Sequence, residues 1–555
     1  MSARAIVIGL DGADFDVIEA LGPERLPAIH ALMAAGAWAR LESVKPPATL
    51  PNWTTFLTGV DPGRHGVFDF TTRRGYRVAF TAGTVREAPT IAARLDALGM
   101  RCACVGFPAT WPPEKLSRGV FLSGWDSPVA FEADRSFVWP PALHDAITKR
   151  FGPIRFDDAD EFDAGSPGWH ARLPGVLVER IRQKTELASW LLDRESWDLF
   201  AFYFGESDTA SHHLWSLWDE GSPRHPARAS AEEREGLARV YEALDAAVGA
   251  LVERAGKDAE ITLVSDHGSG GASDKVLYLN RALEEAGLLA FNEGSAMPLV
   301  ARAKDLGLRA LGPRGRQLVF SAAGRVLPGL IESRARFGAI DFSRTRAFSD
   351  ELNYFPSVSF NVRGREPGGI VDPNDLPALT REVESALLAL RDPWTSERVV
   401  SAVWPREELY EGPHLDRAPD LIVELALDRG YSLNLMPSGG APPGTGPWRR
   451  LAADEHLGRK GRSLPGSHRS HGILVMSGPS VSAAGEVRAR MPDATATLLA
   501  RLGVEPSPEM SGRVLREAIV RRGAAQALPE VSAPATGEGD RTLLERRLRA
   551  LGYID

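Results

Sequence analysis

Two hydrophobic patterns take turns along this chain. Short unbroken runs of β-formers, too short for helices, are separated by longer stretches with apolar residues at helical spacing. The runs include AIVIGL (Ala5 to Leu10), RCACVGF (Arg101 to Phe107), DLFAFYF (Asp198 to Phe204) and ITLV (Ile261 to Val264). Later ones are Val399 to Val403, Asp420 to Leu425 and Ile473 to Met476. Helical spacing fills Glu24 to Ala35, Ala88 to Leu98, Ala171 to Leu192, Leu237 to Val252, Leu376 to Leu390 and Ala494 to Leu502. Strands without alternation are buried on both faces, so this order predicts an α/β fold around a mostly parallel sheet.

The pattern weakens from about Phe291 to Arg346, where the chain is basic and only weakly periodic, and short alternating runs follow to about Ile370. Four regions result: a first part of the core over 1–290, an inserted cap over 291–370, a second part of the core over 371–522, and a linker with a final helix over 523–555. At 555 residues the chain exceeds one ordinary hydrophobic core. It has no apolar run of about 18 residues, and its opening apolar run leads to no small-residue cleavage site. A cytoplasmic protein is therefore expected. The net charge of −8 argues against a nucleic-acid surface. The two cysteines, Cys102 and Cys104, fall on one face of a strand and read as buried thiols.

Chemistry enters where strands stop. ITLV runs into Ser265, Asp266, His267 and Gly268, and AIVIGL runs into Asp11 and Gly12. DLFAFYF runs into GESDTASHH, where Asp208 and His212 share a face if a helical turn begins there. His213 then points elsewhere. Ligands in open α/β sheets bind just past the carboxyl ends of strands, so three carboxylates (Asp11, Asp208, Asp266) close strands there, with His212, His267 and His468 near them in the motifs. Thr49 lies in PPATLPNWTTF ahead of a helix, where backbone N–H groups favour an anion; a threonine there can equally cap the helix. Six N/O ligands without a thiolate suit one or two divalent ions of the zinc, manganese or iron kind.

LDGAD (from Leu10), TLPNWTTFLTGVDPGRHG (from Thr49), SDTASH (from Ser207), SDHG (from Ser265) and GSHRSHGILVMSGP (from Gly466) occur in this order. With these motifs the sequence resembles the alkaline phosphatase superfamily. Within it, the likeness is to a bacterial phosphohydrolase/phosphomutase group related to type I phosphodiesterases and nucleotide pyrophosphatases. The likeness runs from the first strand to about Leu515, and the closing ERRLRALGY is similar to chain ends in that group. It implies a three-layer α/β/α fold and two divalent metal ions, zinc foremost. Asp208, His212 and His468 match the ligands of one ion, with His471 the alternative to His468. Asp11, Asp266 and His267 match those of the other, which also takes the hydroxyl of the nucleophile, Thr49. The implied substrate is a small-molecule phosphate ester, cleaved through a phospho-threonine.

The family pattern is broken at one point. The phosphoryl-contacting asparagine expected 21 positions past the nucleophile is Phe70 here; Asn52, Arg64 and Arg73 are candidates to replace it. The C/S-x-P-x-R sequence of sulfatases is missing from the Thr49 segment. The functions to be weighed are a phosphodiesterase-type hydrolase, a phosphomutase or phosphotransferase on the same site, and a non-catalytic metal-binding scaffold.

Overall fold

The computed structural model describes residues 3–81, 83–125, 132–155, 166–292, 336–351, 356–441, 445–452, 455, 464–520 and 526–531. The chain begins with β1 (Ala3–Leu10), α1 (Phe15–Arg25), α2 (Pro27–Ala35), β2 (Ala37–Glu42) and α3 (Thr49–Thr58). It continues through β3 (Cys102–Val105), β4 (Val120–Leu122), β5 (Val138–Trp139), α4 (Trp169–Leu192) and β6 (Trp197–Phe204). Then come α5 (Glu206–Trp218), α6 (Gly236–Ala255), β7 (Glu260–Val264), β8 (Gly268–Leu277) and α7 (Leu279–Glu285).

Five of the predicted runs enter one large sheet. Its order from β2 is β2, β16 (His471–Ser477), β7, β1, β6, β3, β4 and β5, with the short segment Gly485–Glu486 outside β2. β1 sits in the middle, parallel to both neighbours, with Ile8 opposite Phe202 on one side and Leu263 on the other. β16 runs antiparallel to β7 and β2. Because side chains alternate along a strand, Ile6 and Ile8 join one core with residues of α1, α2, α4, α5 and α6. Ala5 and Val7 face the other way, onto Trp53 and Phe56 of α3 and Leu498 and Leu499 of α9 (Met491–Arg501). Each such large apolar side chain contributes about 1.5–3 kcal/mol by leaving water. The predicted three-layer α/β/α fold is thus the one observed, and Cys102 and Cys104 are free thiols buried on the same side of the sheet.

A smaller sheet lies beside the main one: β9 (Ala347–Phe348), β10 (Ser357–Phe360), β12 (Leu421–Leu425) and β11 (Val400–Pro405), in that spatial order. Helix α8 (Leu376–Ala389) shares its core, as do Leu277 of β8 and Leu283 of α7. Much of the expected cap, 293–335 and 352–355, lies outside the described residues. Its described part shares this sheet with 400–425, so no boundary of the sheet falls at residue 370. Of the expected final linker and helix, 523–525 and 532–555 also lie outside the described residues. No helix among the described residues is long and apolar enough to cross a membrane.

β8 is the element that hydrophobic pattern does not announce. Its sequence, GSGGASDKVL, opens with three glycines in four residues, yet it is a buried ten-residue strand. It pairs with β13 (Ser432–Leu435), β14 (Trp448–Arg450) and β15 (Gly466–Arg469). Through that last pairing it sets Ser269 opposite His468.

Candidate active site

Strands β7, β1 and β6 are adjacent and parallel, so their carboxyl ends open on the same edge of the sheet. Asp11 directly follows β1 and Asp266 follows β7 by two residues; Asp208 sits in the first turn of α5, just beyond β6. The spacing of Asp208 and His212 is realised on that helix, with His212 Nε2 3.2 Å from Asp208 Oδ1. His213 turns away and packs edge-on against Trp169, ring centroids 4.8 Å apart. Main-chain pairing to β8 delivers His468 from the far end of the sequence.

These side chains form two overlapping groups. Asp208, His212 and His468 make one and Asp11, Asp208 and His267 the other; within each, the ligand atoms lie within 4.8 Å of one another. Asp208 belongs to both. Asp266 adjoins the second group, its Oδ2 being 3.3 Å from His267 Nε2. Thr49 Oγ1 lies 3.4 Å from that same nitrogen. Thr49 is the first residue of α3, with Ala48 in the cap position and no side-chain capping bond. His471, by contrast, is exposed at the start of β16.

Hydrogen bonding fixes which nitrogens face inward. His212 Nδ1 is 3.0 Å from the Gly466 carbonyl, His267 Nδ1 2.9 Å from that of Gly268, and His468 Nδ1 2.7 Å from that of Pro47. A carbonyl only accepts, so each Nδ1 carries a proton and each Nε2 is the nitrogen left to face the interior. Nε2 of His212 and Nε2 of His468 stand only 3.0 Å apart. Burial pushes the His468 imidazole down to about 4 and holds His267 well below its usual range, where the neighbouring His468 adds to the effect. Asp266 is pushed well above the carboxylate range, first by burial and then by the negative charge of Asp11. Its Oδ1 accepts from Gly12 N at 3.2 Å, while the buried Oδ2 accepts no hydrogen bond.

Buried carboxylates crowded against lone pairs of neutral imidazoles repel unless positive charge lies between them. A metal ion supplies it, and backbone carbonyls holding the far imidazole nitrogens are the usual support for a metal-binding histidine. The residues present therefore fit divalent cations, by charge and by donor type.

Further polar contacts, not evident in the sequence motifs, hold these groups. Asp11 Oδ2 accepts from Tyr203 Oη at 2.6 Å and Trp53 Nε1 at 3.0 Å. Ser207 Oγ donates to the Asp11 carbonyl at 2.6 Å and Ser43 Oγ to the Asp266 carbonyl at 2.7 Å. The hydrophobic pattern alone reads Tyr203 and Trp53 as core.

The residues expected to meet substrate lie differently. The Asn52 amide is committed to backbone: Nδ2 donates to the Pro46 and Ala48 carbonyls at 3.1 and 2.9 Å, and Oδ1 accepts from Val44 N at 2.7 Å. Arg73 pairs with Glu366 at 3.1 Å and Arg64 is exposed on a short helical turn. None of the three is hydrogen-bonded to a member of the cluster. Phe70 stands parallel to Trp125, centroids 6.3 Å apart, in an apolar group with Leu50 next to Thr49.

The profile of one family, type I phosphodiesterase / nucleotide pyrophosphatase, matches residues 5–472, a span that takes in every member of the cluster from Asp11 to His468. The chain belongs to that family. It is accordingly a hydrolase of the phosphodiesterase/pyrophosphatase class, and enzymes of this family use divalent metal ions. No curated protein matches it in sequence. Among solved structures it is similar to murine ectonucleotide pyrophosphatase/phosphodiesterase 5, an inactive variant in complex with AMP. Identity is 13%, covering 91% of this chain and 96% of that one, with a TM-score of 0.48. The human counterpart is 12% identical over 92% and 97% of the respective chains, also with a TM-score of 0.48.

Proposed function

We propose that the protein is a two-metal phosphohydrolase of phosphodiesterase type, acting on a small-molecule phosphate ester through Thr49. The observation that carries this reading is the position of the Thr49 hydroxyl: buried, on the first turn of a helix, free of any capping role and 3.4 Å from His267 Nε2. Asp208, His212 and His468 would hold one ion, and Asp11, Asp266 and His267 the other. Such ions, zinc foremost, supply Lewis acidity that lowers the pKa of a bound hydroxyl and neutralises charge on phosphoryl and leaving oxygens.

The chain's own residues do the rest. Thr49 gives up its hydroxyl proton to solvent as Oγ1 bonds to phosphorus and the bond to the leaving oxygen breaks. The leaving group departs as its alcohol after taking a proton from water. A second water then attacks the phospho-threonine, releasing the phosphate product and returning a proton to Oγ1. Thr49 stands at the N-terminal end of helix α3, whose dipole favours an anion. Burial of the cluster keeps bulk water from solvating it and so strengthens every charge interaction inside. At position 70 there is an aromatic ring instead of an amide, so the amide contact to a phosphoryl oxygen is not made from that position.

Chromogenic aryl esters test the reaction class. An aryl phosphodiester should be hydrolysed in the presence of Zn²⁺ or Mn²⁺, the activity should vanish with a chelator and return on adding metal, and an aryl sulfate should be the poorer substrate. A clear preference for the sulfate, or full activity in a chelator-stripped protein, would refute the proposal.

A further inference from the structure

Asp11 is held by aromatic side chains of the core. Two side-chain donors converge on one of its oxygens: Tyr203 Oη lies 2.6 Å and Trp53 Nε1 3.0 Å from Oδ2. The other oxygen, Oδ1, is the one 3.4 Å from His267 Nε2. We propose that Tyr203 and Trp53 are positioning residues that fix which Asp11 oxygen faces the ion shared with His267. This inference rests on the two-ion reading above.

Proton directions follow from the groups themselves. Trp125 is also hydrogen-bonded to Tyr203, and an indole nitrogen only donates while a carboxylate only accepts. The phenol oxygen therefore accepts a hydrogen bond from Trp125 and donates its own O–H to Asp11. A carboxylate turns easily about its terminal torsion, and its two oxygens are equivalent until something distinguishes them. Two donors on Oδ2 remove that equivalence and direct Oδ1 to the cluster.

Tyr203 and Trp53 are also core residues, packed edge to face at 5.6 Å with Phe107 against both rings. Packing alone is satisfied by phenylalanine at either position. A hydroxyl and an indole N–H delivered to the same carboxylate oxygen exceed that need. Asp266, assigned to the same ion, takes a backbone donor on Oδ1, from Gly12 N, whereas the other ion is assigned to Asp208, His212 and His468. Loss of the aromatic donors should consequently weaken the ion held with His267 and spare the other.

Metal titration of the chelator-stripped full chain distinguishes the possibilities. Wild type, Tyr203→Phe and Trp53→Phe are titrated with Mn²⁺ and with Zn²⁺ by calorimetry, and unfolding of the metal-free proteins is followed alongside. Wild type should take up two ions. Tyr203→Phe should bind one as wild type does and the other about 10–100-fold more weakly, the usual effect of removing a group that supports a ligand. Trp53→Phe should weaken the same ion, and it carries the test if Tyr203→Phe does not fold. Tyr76→Phe, which removes a hydroxyl that donates to Asn361 Oδ1 at 2.6 Å beside the smaller sheet, should change neither affinity. If wild type binds two ions and both variants keep both affinities, or lose both equally, the positioning role is overturned and the two-ion reading stands. If wild type itself does not take up two ions, that reading fails and the inference falls with it.

Discussion

The imidazole rings of His267 and His468 lie face to face, centroids 3.5 Å apart and planes 18° from parallel. They come from the last two motifs, SDHG and GSHRSHGILVMSGP, and each belongs to a different ligand group. Two imidazolium ions could not stack this way without repulsion, and burial holds both rings below their ordinary pKa, His468 at about 4. Stacked and neutral, they set the two groups side by side, which suits the ion separation of about 3.5–4 Å at which two metals clamp an in-line displacement.

That stack separates the two histidines of the GSHRSHG motif. His468 is buried among the ligands, whereas His471, three residues on, is exposed. His468→Ala should lose bound metal, measured by elemental analysis after dialysis, and phosphodiesterase activity should fall by several orders of magnitude. His471→Ala should change neither. The reverse result would move the ligand to position 471.

Gly466 offers a test that leaves every ligand in place. A Cβ there would stand 2.0 Å from the Ser211 carbonyl oxygen, in the backbone just ahead of His212. Strand β15 must then move from α5, taking His468 away from His212. Misplacement by about 1 Å can cost 10²-fold in rate, so Gly466→Ala should remain folded with a lowered Tm, weaker metal retention and at least that loss of activity. Wild-type kinetics in Gly466→Ala would show that this close approach is not needed.

The same contact explains what could be read from the sequence. Asp11, Asp208 and Asp266 were legible because each follows a run of β-formers, and short strands closing in acids are a local signal. The parallel sheet was legible from the same runs. What joins His468 to them was not: β8 is glycine-rich, and its fit depends on backbones approaching with no side chain between. At Gly268 an added Cβ would stand 2.1 Å from the His471 carbonyl oxygen. Glycine carries no hydrophobic period, so such a strand leaves no trace in the pattern. The donors to Asp11 were hidden for another reason. Tyr203 and Trp53 are apolar enough to count as core, and only three-dimensional contacts show where their polar atoms point. The Asn52 amide shows the converse, a polar residue near the motif that serves the backbone.

Acid should weaken the fold through His65. It is buried, its Nε2 lies 3.0 Å from Thr55 Oγ1, and its Nδ1 accepts from Val67 N at 3.1 Å. Burial, then the charges of Arg86 and His414, push it down from 6.5 to about 3. The unfolded chain takes up the proton first, so stability is intact above pH 6.5 and is lost as pH falls from there to about 3. His65→Gln can meet both partners without titrating. Denaturant unfolding at stepped pH should show a shallower loss for His65→Gln, by up to about 1.4 kcal/mol per pH unit, the slope of one proton. Parallel curves would exclude His65.

Thr49 decides the mechanism. Its side chain makes no capping bond, because Ala48 occupies the cap position, so Thr49→Ala should not lose the 0.5–2 kcal/mol or so that removal of a capping hydroxyl costs. If its Oγ1 attacks phosphorus, Thr49→Ala should stay folded and metal-loaded while activity collapses by several orders of magnitude. Thr49→Ser keeps a hydroxyl on the first turn of α3 and should retain measurable turnover. Stereochemistry gives an independent reading. Passage through phospho-threonine joins two in-line displacements, each inverting, so a chiral phosphodiester should be hydrolysed with net retention at phosphorus. Net inversion would mean that water attacks directly, and an active Thr49→Ala protein would say the same; either result would leave the buried hydroxyl beside His267 without a catalytic part.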